Sequence, residues 1–160
     1  MLQKVRSKKI RSTGDFVIVA SKYNARYVDA MVRAAKSELL RAGGKVQVFR
    51  VPGAYEIPVV AARLGRSQMC SAIICLGVIL RGATTHAQHI GEAVSDALVQ
   101  IQVRYEVPVV HEVLLLENEQ QAVERCLSKT HNRGTEAAQT ALEMARVMQR
   151  LKMPGDDVAF

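Results

Sequence analysis

Nine consecutive residues, Ala72–Leu80, carry no polar side chain. The run is much too short for the roughly 18 apolar residues of a membrane span. Read as a strand, it has no polar face to show to water. A strand of that kind is covered on both sides, as in a parallel sheet between two layers of helices. The segment after it, Arg81–His86, is polar and contains Gly82, so the strand ends in a turn.

The rest of the chain alternates in the way this requires. Phe16–Ala20 is a short apolar run and predicts a buried strand. From about Arg26 to Ala42, Val28, Met31, Val32, Ala35 and Leu39 recur at helical spacing, and Gly43-Gly44 stops the helix. Val46–Val51 predicts a second strand, broken by Pro52-Gly53, and Glu56–Leu64 a short helix. A long helix spans about Thr85 to Tyr105, with Ile90, Ala93, Val94, Ala97, Leu98 and Ile101 on one face. Val107–Leu115 predicts a fourth strand, and two further helical segments cover roughly Asn118–Ser128 and Thr135–Leu151. Strands separated by helices imply βαβ units with right-handed crossovers, hence helices on both sheet faces. The expectation is one three-layer αβα sandwich over residues 13–152, with loose ends at 1–12 and 153–160.

The formal charge of +7 is concentrated at one end. Lys4, Arg6, Lys8, Lys9 and Arg11 lie within residues 1–12 without an acid, leaving +2 for the other 148 residues. The near-neutral body argues against a nucleic-acid-binding domain, although a basic arm could act alone with steep salt dependence. No apolar stretch follows the basic residues as a secretory signal demands. Cys70, Cys75 and Cys126 form no CxxC pair and no metal-ligand spacing. They predict reduced, buried thiols in a cytoplasmic protein.

In a parallel sheet, ligands collect beyond the carboxyl ends of the strands. The distinctive residues of this chain fall at those exits: Ser21–Asn24, Pro52–Glu56, Arg81–His86 and Glu117-Asn118. At the third exit small residues lead into a helix. Backbone can approach a ligand closely there, and the helix N-terminus favours an anion such as phosphate; an ordinary N-cap by Thr84 or Thr85 is the simpler alternative. His86, in the first helical turn, is suited to move protons at neutral pH. His86 and His89 form an HxxH pair, but it lacks zincin spacing and no third ligand is evident, so no metal is expected. Tyr23 and Tyr55 offer aromatic faces to a flat ligand, or pack in the core. Arg125 and Arg133 are suited to hold a carboxylate or phosphate, or to lie solvated.

Three stretches together resemble one family. They are Pro52-Gly53-Ala54-Tyr55-Glu56-Ile57-Pro58, the longer Leu76–His86, and Glu117-Asn118-Glu119-Gln120-Gln121-Ala122. In order and spacing the chain is similar to the lumazine synthases from about Phe16 to Leu151. The resemblance implies a flavodoxin-like, homo-oligomeric fold. It also implies a cofactor-free condensation in riboflavin biosynthesis: 5-amino-6-(D-ribitylamino)uracil joins 3,4-dihydroxy-2-butanone 4-phosphate to give 6,7-dimethyl-8-ribityllumazine, with loss of phosphate and water. In that reading the pyrimidine stacks on Tyr23 next to Asn24. Ala54, Tyr55, Glu56, Val78, Ile79, Leu80 and His111 line the ring and ribityl chain. Ala83, Thr84, Arg125 and Arg133 hold the phosphorylated ketone, and His86 transfers protons. Sites lie between subunits of a pentamer, His111 and Arg125 coming from the neighbour. Pentamer, decamer and sixty-subunit shell are all compatible with the sequence.

Two positions depart from the family's usual pattern. His111 stands where phenylalanine is usual, and Arg133 where lysine is usual. The first adds a titratable ring; the second replaces a point charge with a planar fork. A non-catalytic homologue that binds flavin or lumazine is the competing reading.

Overall fold

The computed structural model describes residues 14–151; the two terminal segments expected to be loose lie outside them. The elements run in chain order: β1 (Asp15–Ser21), α1 (Ala25–Arg41), β2 (Lys45–Val51), α2 (Ile57–Ser67), β3 (Ala72–Leu80), α3 (His86–Tyr105), β4 (Val109–Leu116), α4 (Glu119–Ala122) and α5 (Arg133–Arg150). A single 3₁₀ turn, Ala54–Glu56, precedes α2, and α4 runs on into a wider π-helical turn over Val123–Leu127.

All strand pairs are parallel, in the order β2-β1-β3-β4. The fold is therefore the expected α/β type, with a four-stranded parallel sheet between helices. Alternation along the strands makes two cores. Phe16, Ile18, Ala20, Ala72, Ile74 and Leu76 face α1 and α5. Val17, Val19, Ile73 and Cys75 face α2 and α3. The apolar run of β3 contributes to both, as its composition requires.

Local chemistry sets the element ends. Gly43 ends α1 at φ 90, a conformation open to glycine at little cost. Asn118 caps α4, its Oδ1 accepting from the Gln121 N–H at 2.9 Å. Asn132 caps α5 through Gly134 N–H at 2.8 Å, so that helix begins two residues before the expected Thr135. β4 begins at Val109 rather than Val107 because Pro108 has no N–H to give a ladder; its carbonyl instead accepts from Ile73 N–H at 2.8 Å. Gly134 packs directly on the backbone carbonyl of Met31, so α1 and α5 meet where only a hydrogen fits.

The chain order places the ligand-binding edge. From β1 the chain steps to β2 on one side and then to β3 on the other. The crossovers diverge between β1 and β3, leaving a crevice at the carboxyl ends of those strands.

Candidate active site

Hydrogen bonds tie the exits of β1 and β2 together. Lys22 N–H donates to Val51 O at 2.8 Å, and Tyr23 N–H to Pro52 O at 3.2 Å. Arg50 donates to Ser21 O at 3.0 Å and pairs with Asp29 Oδ1 of α1 at 2.7 Å. The Arg50 head thus joins β1, β2 and α1 at the level where the strands end. Glu56 accepts from Gly53 N–H at 2.9 Å through Oε2, which closes the turn into α2.

The exit of β1 is also fastened to β3. Asn24 sits at φ 55 and donates from Nδ2 to the carbonyl of Val78 at 2.7 Å. Asparagine tolerates this left-handed backbone better than most side chains. The reversal out of β1 and the wall formed by β3 are held by one side chain.

These contacts frame a cavity of about 790 Å³. Tyr23 and Asn24 line it from the first exit, Gly53–Glu56 from the second, and Val78, Ile79 and Leu80 from β3. His86 closes it from the first turn of α3. Tyr23 and Tyr55 are 72% and 64% exposed, so their rings belong to the open edge rather than the core. A mostly apolar cleft with aromatic faces and a few polar groups fits a flat heterocycle. The imidazole beside it supplies a group able to carry protons.

Three of the four exits meet here, not four. Glu117 and Asn118 do not line the cavity. Arg81 N–H donates to Leu116 O at 2.8 Å and the Arg81 head pairs with Glu117 at 3.4 Å, so the fourth exit is bound to the third on the far side. Ala83 and Thr84 lie just before Thr85, the residue at the N-cap of α3, and are exposed. Thr84 Oγ1 accepts from His86 N–H at 3.4 Å. The loop therefore leads straight into the N-terminal turn that bears His86.

Five expected site residues do not line this cavity in the single chain: Ala83 and Thr84 on the loop before α3, and Arg125, Arg133 and His111 on other elements. Arg125 is half-buried on the π-helical turn. Arg133 opens α5, donating from Nε to Glu112 Oε2 at 3.2 Å and from an Nη to Glu136 Oε2 at 2.8 Å. Glu112 is nearly buried, and burial pushes its carboxyl up to about 7; Arg133 pulls it down and Glu136 pushes it up further. His111 lies on β4 against α3, hydrogen-bonded to Ser95.

His89, Ile90 and Ala93 also line the cavity, although sequence reasoning gave them no substrate-binding role. The signal was present. His86, His89, Ile90 and Ala93 follow i, i+3, i+4, i+7 spacing and so share one helix face. Among the described residues, no group of three or more His, Cys, Asp or Glu side chains is placed to hold a metal ion. Cys75 and Cys126 are buried and their thiols are pushed up to about 12, chiefly by burial.

Residues 14–149 match the 6,7-dimethyl-8-ribityllumazine synthase family. Individual relatives agree over most of their length. The 6,7-dimethyl-8-ribityllumazine synthase of Stenotrophomonas maltophilia strain R551-3 is 38% identical over 139 residues, covering 85% of this chain and 90% of the relative. The enzyme of that name from Xanthomonas campestris pv. campestris strain B100 is 38% identical over 143 residues, covering 88% and 93%. The one from Xanthomonas oryzae pv. oryzae strain PXO99A is 39% identical over 142 residues, covering 87% and 92%.

Proposed function

The chain belongs to the 6,7-dimethyl-8-ribityllumazine synthase family, and from that premise we propose how its cavity performs the reaction. The reaction condenses 5-amino-6-(D-ribitylamino)uracil with 3,4-dihydroxy-2-butanone 4-phosphate. The observation that carries the reading is the meeting of three strand exits around one cleft, with Tyr23 on one side and His86 on the other.

The pyrimidine ring lies against Tyr23, and the ribityl chain runs along Val78–Leu80 and the Ala54–Glu56 turn. The phosphorylated ketone lies by Ala83 and Thr84, where the N-terminus of α3 favours its negative charge. The ring amine attacks the ketone carbonyl, and water leaves as the imine forms. Loss of a proton from C3 expels phosphate from C4 with the C–O bond electrons, the resulting enol tautomerises to a new C3 carbonyl and a methyl group, the ribityl-bearing nitrogen closes on that carbonyl, and a second water is lost. Each step moves a proton between nitrogen, carbon or oxygen; His86 carries it in this reading, which its position on the cavity rim supports. Holding two reactants in line can supply roughly 7–11 kcal/mol of barrier lowering, so orientation dominates and the proton carrier assists.

His111, Arg125 and Arg133 complete this site from a neighbouring copy, in a pentamer or a multiple of pentamers. Their separation from the cavity within one chain supports that arrangement, as does the cleft's open side at Tyr23 and Tyr55. The setting is cytoplasmic, consistent with three free cysteines. The body, residues 13–152, acts on small molecules and not on nucleic acid.

The test is a time course with both substrates, following lumazine fluorescence and phosphate release. Equal molar appearance of lumazine and phosphate is expected. Tight riboflavin binding with no lumazine formed would instead mark a binder without catalysis.

A further inference from the structure

His111 makes two hydrogen bonds that together determine where its proton sits. The backbone N–H of Val113 donates to Nδ1 at 3.1 Å. A peptide N–H can only donate, so Nδ1 is unprotonated. The neutral ring then carries its proton on Nε2, which lies 2.7 Å from Ser95 Oγ. The Ser95 hydroxyl spends its own proton on the Gly91 carbonyl at 2.8 Å. Its oxygen is therefore the acceptor for Nε2–H. The chain His111 to Ser95 to Gly91 runs in one direction.

Both nitrogens are turned to the protein, yet the residue is exposed. What faces outward is the carbon edge and the flat face of the ring. Charging the imidazole would place a second N–H on Nδ1, pointing at the N–H of Val113. Two donors cannot share that contact, so the charged ring must break it. Partial burial acts in the same direction and pushes the ring's pKa below the ordinary histidine value.

We propose that Ser95 is a positioning residue that fixes His111 as the neutral Nε2–H tautomer, so that it offers a neighbour's substrate an uncharged aromatic face in place of the usual phenyl ring. This rests on the reading that His111 meets the pyrimidine across a subunit boundary. The substitution then changes the composition of the contact and keeps its physics, because a flat neutral ring still stacks. The ionisable groups around the adjoining groove are Glu92 and Asp96 of α3 and Arg81 after β3. Glu112, next along β4, turns to the opposite sheet face and its Arg133 partner.

The assembled protein with ¹⁵N-labelled histidine tests this directly. The four histidines are distinguished by the signal that vanishes in His111→Phe. His111 is expected to keep its proton on Nε2 from about pH 8 down through the ordinary histidine range near 6.5. In the wild type, KM for the ribitylaminouracil is expected to follow the same pH profile as in His111→Phe. In Ser95→Ala that KM rises several-fold toward the acid end with kcat little changed, and Ser95→Thr restores the flat profile. A proton on Nδ1, or titration like a free histidine, overturns the clamp while leaving the substrate reading intact. If His111→Ala leaves the ribitylaminouracil KM unchanged, the ring does not meet substrate, and the proposal falls together with that part of the site. If His111→Ala raises KM but Ser95→Ala does not alter the pH profile, Ser95 has no positioning role.

Discussion

Asn24 holds the cavity wall with one side chain, and replacing it separates two energies that act at the same residue. Its Nδ2 bond to Val78 O is 2.7 Å long, and Val78 is 3% exposed. Removing a donor from a buried carbonyl costs about 1–3 kcal/mol. The backbone at φ 55 adds a second term: a side chain such as alanine pays roughly 1–2 kcal/mol in the left-handed region. Asn24→Ala is therefore expected to lose about 2–5 kcal/mol. Asn24→Gly loses the same hydrogen bond but relieves the backbone, and should be more stable than the alanine variant by about 1 kcal/mol or more. Asn24→Asp keeps shape and backbone tolerance while turning an acceptor toward the carbonyl, so it should fall below wild type too. The assay is urea denaturation at fixed protein concentration, since the proposed assembly would also contribute to apparent stability, alongside KM for the ribitylaminouracil. An alanine variant within about 0.5 kcal/mol of wild type, with KM unchanged, would refute the claim that this bond sets the wall.

Three further outcomes follow from the structure. Gly134→Ala drives a methyl group into the Met31 carbonyl, where neither backbone can give way; a loss of about 3 kcal/mol or more is expected by denaturation, and a loss below about 1 would mean that the α1–α5 contact yields easily. Glu112 is raised to about 7 by burial, against about 4.3 when unfolded. Between those values the folded chain binds a proton that the unfolded chain does not, so stability rises as pH falls from about 7 and the cost of ionisation is full above it. The difference between wild type and Glu112→Gln should accordingly change by up to about 4 kcal/mol across that window, and a constant difference would contradict it. His86→Ala should fold normally and slow turnover by roughly 10²–10⁴-fold without abolishing it; unchanged turnover would remove His86 from proton transfer.

Sequence reasoning reached what is set by local chemistry. β3 was legible because an all-apolar strand admits one kind of environment, and the carboxyl-end rule then brought Tyr23, Gly53–Glu56 and His86 to one rim. The contacts that make the rim a cavity were not legible, because they join residues far apart in the chain: Asn24 to Val78, Arg50 to Asp29 and Ser21. The same holds for the Glu112–Arg133 pair. A carboxylate within Val109–Leu116 gives no sign that its partner opens a helix on the next layer. His89 read as half of a weak metal pair, and Ile90 and Ala93 as part of the buried stripe of the helix, because the spacing that lines a cleft is the same spacing that packs a core. The π-helical widening at Val123–Leu127 has no evident cause in those residues.

The claim beneath all of this is that three exits and a neighbouring copy enclose one heterocycle beside one imidazole. A crystal structure of the assembled protein with 6,7-dimethyl-8-ribityllumazine bound measures that directly. The ring should lie against Tyr23, with the His86 imidazole within hydrogen-bond reach, directly or through one water, and the neighbour's His111 presenting its flat face. A product molecule seated elsewhere, or a site closed without any residue of a second copy, would contradict it.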